Sequence, residues 1–193
     1  LTKTIDKKTK KENGIYFTHP STIQKNIELL ESHFNFDSIH NILEPSFGSG
    51  EFIQGLIHHI KDKKTNINIT GIELNKSIFD QVVNNHDLNY ENIEYINDDF
   101  IQHQFSNKKY DLIIGNPPYF VIKKKNVSNE YINYFDGRPN IFVLFILKSI
   151  NLLTENGILS FVLPRNFLNS LYFNKVRNLI YNDYTILNIF ECD

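Results

Sequence analysis

The chain has 193 residues and a formal net charge of −2, with 41% hydrophobic and 22% charged residues. This composition is typical of a soluble globular protein, and no apolar run approaches the roughly 20 residues that a membrane span requires. The single cysteine, Cys192, excludes an internal disulfide and a cysteine-based metal site. No signal peptide opens the chain, so we expect a cytoplasmic protein without a membrane partner.

Strand and helix patterns alternate along the chain, with short connections. The predicted elements are, in order, a helix over 21–34, a strand over 41–44, a helix over 52–60, a strand over 67–73, a helix over 77–84, strands over 93–96 and 110–115, a helix over 140–153, a strand over 157–163, a helix over 167–181 and a strand over 185–190. Ser21 or Thr22 is the expected cap of the first helix. This alternation predicts an α/β sandwich around a mostly parallel sheet.

A glycine-containing turn follows the first predicted strand. It comprises Glu44, Pro45 and Ser46, and then Gly48 and Gly50. In open α/β sheets ligands bind at the carboxyl ends of the strands, and glycine lets the backbone approach them closely. The spacing matches neither a dinucleotide fingerprint nor a phosphate-binding loop. By itself, this motif indicates a ligand-binding turn and a plain strand-to-helix turn about equally.

Glu73 and Leu74 end the second strand, about 20 residues beyond the glycines. A carboxylate at this position can accept hydrogen bonds from both hydroxyls of a ribose. A surface acid at a strand end is the alternative. Because Glu73 follows the glycine turn at a suitable spacing, we favour the ribose role.

Asp99 and Phe100 follow the third strand. An acid followed by an aromatic residue can bind an adenine, since one accepts from its amine and the other covers its face. Without further context, a polar turn with one core phenylalanine is the preferred interpretation.

The most specific motif is Asn116-Pro117-Pro118-Tyr119, which follows the strongly apolar strand over 110–115. The prolines fix the backbone and remove donors, and the Asn116 side chain adds a second carbonyl acceptor. Two fixed acceptors can hold both hydrogens of an amino group and free its lone pair to attack a methyl donor. Tyr119 offers a flat face for a planar substrate. A turn formed only for shape would rarely need this set.

With these motifs the chain resembles the gamma class of N6-adenine DNA methyltransferases found in restriction–modification systems. The resemblance covers most of residues 15–190, including residues 16–20, which are similar to the element that precedes the cofactor loop in that class. His19 is an insertion relative to the shortest form of that element. The resemblance implies a three-layer Rossmann-like fold, with residues 15–193 as the catalytic domain. Residues 1–14 are rich in lysine and polar, and this composition predicts a flexible basic arm.

The resemblance also implies S-adenosylmethionine as the cofactor and a flipped-out adenine of double-stranded DNA as the substrate. The implied catalytic residues are Asn116, Pro117, Pro118 and Tyr119. The implied cofactor-binding residues are Tyr16, Thr18, Glu44, Pro45, Ser46, Gly48, Gly50, Glu73, Leu74, Asp99, Phe100 and Asn116. Lysines 123–125, just beyond the motif, are expected to contact phosphates. No metal is expected.

The family carries a second aromatic clamp and a target-recognition domain beyond the region matched here. We therefore expect the chain to be a fragment, or to act with a specificity subunit. A release-factor type glutamine methyltransferase and an RNA base methyltransferase remain as alternatives, because both act on planar amines or amides. A silent cofactor-binding scaffold is a third alternative, although no motif is damaged.

Overall fold

A computed structural model describes residues 18–60, 66–85, 88 and 90–192. The proposed basic arm and Tyr16 lie outside these residues. Five strands form one sheet: β1 (Asn41–Glu44), β2 (Asn68–Glu73), β3 (Ile93–Asn97), β4 (Tyr110–Gly115) and β5 (Leu153–Phe161). Their order is β3-β2-β1-β4-β5, and every described pair is parallel. The predicted parallel α/β fold is therefore confirmed.

Helices cover both faces of the sheet, which gives the three layers that the resemblance implied. The described helices are α1 (Pro20–Glu31), α2 (Glu51–Ile60), α3 (Lys76–Val83), α4 (Ile141–Leu152) and α5 (Asn174–Asp183). Alternate β1 side chains point to opposite faces. Ile42 packs in one core with residues of α1, α2 and α3, whereas Leu43 packs in a second with Phe145 of α4. No helix among the described residues is long and apolar enough to cross a membrane.

The first helix begins earlier than predicted. His19 is its N-cap, with the backbone amide of Ser21 donating to the ring at 3.3 Å, and Pro20 occupies the first helical turn. Proline is favoured there because the first helical N–H groups have no partner within the helix. The predicted Ser21 or Thr22 cap was therefore wrong, and the inserted histidine has a structural role.

The predicted helix over 167–181 was wrong in its first half. Arg165–Phe167 and Leu171–Phe173 are short 3-10 helices, and α5 begins only at Asn174. The Arg177 guanidinium donates to the carbonyls of Phe167 and Ser170 at 2.8 and 2.7 Å. These carbonyls are held by a side chain from the following helix, so the turn before α5 stays irregular.

The predicted final strand over 185–190 is also absent. None of these residues pairs with the described sheet, and Ile189 and Phe190 are 65% and 53% exposed. An alternating apolar pattern becomes a strand only where another strand supplies its hydrogen-bonding partners. The edge strand β5 does not pair with this segment in the structure.

Candidate active site

The loop after β1 lies at the carboxyl edge of the sheet and turns sharply into α2. Gly48 and Gly50 have φ angles of +54° and +83°, in the left-handed region that side chains disfavour. The buried Phe47 anchors the loop, since its amide donates to the carbonyl of Ile72 in β2 at 3.0 Å. The glycines are therefore required by the backbone path of this turn.

Glu73 joins this loop to the loop after β2. Its Oε2 accepts from the Gly48 amide at 3.0 Å, and its Oε1 accepts from the Asn75 amide at 2.7 Å. Burial raises the pKa of the Glu73 carboxyl, and these two amides act against the shift. Each carboxylate oxygen retains a second lone pair for a ligand hydroxyl. The adjacent Leu74 side chain is 68% exposed, an apolar surface beside this carboxylate.

Glu44 is a buried acid beneath the candidate catalytic motif. It is 2% exposed, and among the described residues its Oε2 has no hydrogen-bond partner. Burial raises its pKa well above the ordinary value of 4.5, and the negative charges of Glu51 and Glu73 act in the same direction. Its carboxyl packs against Gly115, directly before the motif. The carboxyl therefore has one buried oxygen without a hydrogen-bond partner, and a donor on a ligand could satisfy it.

Asp99 and Phe100 differ from one another in exposure. Asp99 is half-buried and its Oδ1 accepts from the Ile101 amide at 2.9 Å, which forms a tight turn. Phe100 is 2% exposed, and its ring lies 4.8 Å from that of Phe145. The expectation that the Phe100 ring covers a ligand face is therefore corrected. Phe100 is a core residue, and Asp99 is the half-exposed member of the pair.

Asn116 is held on both sides of its amide group. Its Nδ2 donates to the Thr18 hydroxyl at 3.1 Å, and its Oδ1 accepts from the Tyr119 hydroxyl. The backbone carbonyl of Asn116 accepts from Ser46 Oγ at 3.4 Å. The motif after β4 is thus connected directly to the segment before α1 and to the loop after β1.

Tyr119 is fixed by its hydroxyl and by its ring. The hydroxyl lies 2.6 Å from the carbonyl of Val162, and the ring meets Phe142 edge-on, with centroids 6.1 Å apart. Of the two intervening prolines, Pro117 is buried and Pro118 is half-buried. In this conformation the Tyr119 hydroxyl already donates to Asn116 Oδ1, the oxygen that was predicted to accept from the substrate amine.

The structure brings Thr18, Glu44, Ser46, Glu73 and Asn116 to one edge of the sheet. Pro45 is buried beside them, and Asp99 follows β3 at the same edge. The link from Thr18 to Asn116 and the Val162 carbonyl were missed by sequence reasoning. Local patterns contain no signal for either contact, because the partners are far apart along the chain. No group of three or more potential metal ligands occurs among the described residues.

The fold and this site define a class of protein. A Listeria monocytogenes protein assigned as a class I S-adenosylmethionine-dependent methyltransferase matches 87% of this chain and 52% of its own, with a TM-score of 0.72 and 16% identity. At that identity the likeness concerns the fold alone. The chain has the Rossmann-like fold of the S-adenosylmethionine-dependent methyltransferases.

Sequence comparison then gives the family. The Eco57I restriction-modification methylase model matches residues 5–193, and the chain belongs to that family. It is 33% identical over 179 residues to modification methylase CviBIII of Paramecium bursaria Chlorella virus NC1A, covering 92% of this chain and 45% of that protein. Type II methyltransferase M.AccI of Acinetobacter calcoaceticus is 33% identical over 159 residues, which cover 79% of this chain and 28% of M.AccI. The chain thus spans less than half the length of either relative.

Proposed function

We propose that this chain transfers a methyl group from S-adenosylmethionine to the exocyclic N6 amine of an adenine flipped out of double-stranded DNA. The observation that carries the proposal is the fixed amide of Asn116, anchored by Thr18 directly after a buried strand. Membership of a restriction-modification methylase family supports DNA as the substrate.

The residues at the sheet edge fit S-adenosylmethionine. When bound, this cofactor supplies an electrophilic methyl group on a positively charged sulfur, and its amino acid part carries an ammonium group. The unpartnered Glu44 oxygen can accept a hydrogen bond from that ammonium, and the positive charge of the ligand would favour the ionised form of the carboxyl, against the effect of burial. We assign Glu73 to the ribose hydroxyls, Asp99 to the adenine amine and the exposed Leu74 to apolar contact with the cofactor.

The substrate adenine is assigned to the motif after β4. The Asn116 Oδ1 and the Pro117 carbonyl accept the two amine hydrogens, and the Tyr119 ring stacks on the base. These bonds draw the nitrogen out of conjugation with the ring and aim its lone pair at the methyl group. No strong base is needed, because the nitrogen loses its proton readily only after it has been methylated. Most of the acceleration comes from positioning.

Three exposed lysines support contact with the nucleic-acid backbone. Residues 123–125 follow the motif closely, and Lys124 and Lys125 lie in a short 3-10 helix. Ammonium groups at such a surface bind phosphates without selecting a base sequence. Recognition of a particular DNA sequence by a further domain or a specificity subunit stays a prediction.

The test is transfer of labelled methyl from S-adenosylmethionine to unmethylated duplex DNA, followed by digestion to nucleosides. The chain and the full product of its gene are assayed side by side. We expect label in N6-methyladenine, and we expect Asn116→Ala to abolish transfer while cofactor binding persists. Label on RNA or on a release factor, with none on DNA, would instead support one of the alternative methyltransferases. Cofactor binding without transfer to any of these acceptors would support the silent scaffold.

A further inference from the structure

The turn that carries Asp99 is bound by a lysine that lies more than 40 residues later in the chain. Lys148, in α4, donates from Nζ to the carbonyl of Ile101 at 2.8 Å and to that of His103 at 2.7 Å. Its ammonium also lies 5.3 Å from the ring centroids of both Phe100 and Phe105. The half-buried Lys148 ammonium thus contacts two backbone carbonyls of this turn and the faces of two aromatic rings.

The bound carbonyls and Asp99 belong to one hydrogen-bonded unit. The Asp99 carbonyl accepts from the amides of Gln102 and His103 at 2.9 and 2.8 Å. The Asp99 Oδ1 accepts from Ile101, so the second carboxylate oxygen, Oδ2, is the one left for a ligand. A displacement of the Ile101 or His103 carbonyl therefore changes the position of that oxygen.

Charge adds to this geometry. Asp98 and Asp99 both attract the Lys148 ammonium, while its burial lowers its pKa from the ordinary value of 10.5. The lysine thus has a desolvation cost that its hydrogen bonds and acidic neighbours offset. A half-buried ammonium that donates hydrogen bonds to loop carbonyls restricts the conformations of that loop.

We infer that Lys148 is a positioning residue for the cofactor's adenine, because its two hydrogen bonds to the turn after β3 fix the direction of the Asp99 carboxylate. The inference rests on the proposed function and adds a residue that touches neither cofactor nor substrate. Through Lys148, helix α4 would contribute to the preference of the cofactor site for adenine.

The test compares binding of two nucleosides that differ at the base edge Asp99 would recognise. S-adenosylhomocysteine carries the 6-amine, whereas S-inosylhomocysteine carries an oxygen there and a hydrogen on N1. Binding to the full chain is measured by calorimetry. We expect the wild-type protein to prefer the adenine compound by about 100-fold, since the inosine oxygen would face an unpaired carboxylate.

Lys148→Met keeps the length and apolar contacts of the side chain and removes its donors and charge. We expect it to bind S-adenosylhomocysteine roughly ten-fold more weakly and S-inosylhomocysteine nearly as before, so that the preference falls to about ten-fold. Lys148→Arg, which retains charge and donors, should recover most of the preference. A preference unchanged in Lys148→Met would overturn the inference.

Lys108→Met is the matched control. Lys108 also lies over an aromatic ring, 5.5 Å from the Tyr110 centroid, and donates to Thr70 Oγ1 at 3.0 Å, but it precedes β4 at the other edge of the sheet. We expect it to lose stability without losing the adenine preference. An equal loss of preference in Lys108→Met would show a general structural effect and overturn the inference.

A failure of the proposed function has a different result in the same experiment. In that case the wild-type protein binds neither compound, or binds both equally, and the assignment of Asp99 is overturned together with that of Lys148. If the wild-type protein prefers the adenine compound and Lys148→Met keeps the same preference, the assignment of Asp99 to the adenine stands and the positioning role of Lys148 is overturned.

Discussion

Asn116 and Thr18 form a hydrogen bond of 3.1 Å although 98 positions separate them in the chain. The bond fixes which side of the Asn116 amide faces Thr18 and therefore where the amide oxygen points. Since a methyl acceptor must be held in a narrow range of positions, this orientation is expected to matter for the transfer step.

Thr18→Val removes the hydroxyl at nearly constant volume. We expect the single-turnover rate of methyl transfer to fall roughly five-fold, because a lost hydrogen bond of about 1 kcal/mol frees the amide to rotate. Thr18→Ser is the control and should stay within about two-fold of the wild-type rate. Equal rates for the valine and serine variants would show that the Thr18 hydroxyl does not orient the Asn116 amide.

A second prediction concerns the hydroxyl of Tyr119, which donates to the oxygen that the substrate amine would use. Tyr119→Phe keeps the ring and frees that oxygen. We expect DNA binding in the presence of S-adenosylhomocysteine to tighten by about five-fold, since one competing hydrogen bond is gone. DNA titrations with the full gene product measure the change.

Tyr119→Ala is the matched variant that removes the ring as well. Loss of stacking should weaken DNA binding by roughly 10- to 100-fold. If the phenylalanine variant is as impaired as the alanine variant, the hydroxyl itself is required and does not compete with the substrate.

A third prediction follows from the buried Glu44. Its pKa is raised in the folded protein, so the folded state holds this proton more tightly than the unfolded chain. Its contribution to stability is fully present below the ordinary pKa of 4.5 and is lost as the pH rises through the folded pKa. Glu44→Gln cannot lose a proton, so its unfolding free energy should decline less steeply over that range.

Urea unfolding of the cofactor-free protein at a series of pH values measures this difference. Part of the slope should remain in Glu44→Gln, because burial also raises the pKa values of Glu51 and Glu73. The exposed Glu155→Gln serves as the control and should follow the wild-type curve. Identical slopes for wild type and Glu44→Gln would contradict the prediction.

A fourth prediction separates two causes of glycine dependence in the loop after β1. At Gly48 an added Cβ meets nothing within 4 Å, so Gly48→Ala should cost only the left-handed backbone strain, about 1 kcal/mol. At Gly50 the Cβ would lie 2.8 Å from Cδ1 of the buried Leu88. Gly50→Ala should therefore cost about 2–4 kcal/mol, strain and overpacking together.

Chemical denaturation of both variants gives the two free energies directly. In a Leu88→Ala background, Gly50→Ala should cost less than it does in the wild type, because the clashing methyl group is gone, and a double-mutant cycle measures this difference. Equal costs at the two positions would mean that backbone strain alone accounts for both glycines.

Much of the fold was predictable because its causes are local. The strand over 110–115 was predicted with the bounds that the structure has, since a short apolar run stopped by two prolines has few other solutions. The seven-residue shift at the start of α5, from residue 167 to Asn174, was not predictable. It depends on Arg177, whose guanidinium binds carbonyls seven and ten residues earlier once the loop has folded.

The candidate site divides in the same way. The sequence by itself determined the turn after β1, the acid Glu73 at the end of β2 and the asparagine–proline motif, because each follows a strand end and parallel strands bring those ends to one edge. Only the tertiary structure decided that Phe100 lies in the core, that residues 185–190 form no strand, and that Thr18 and Lys148 hold Asn116 and the Asp99 turn. These outcomes depend on partners distant in the chain, and periodicity and turn chemistry describe only neighbours along it.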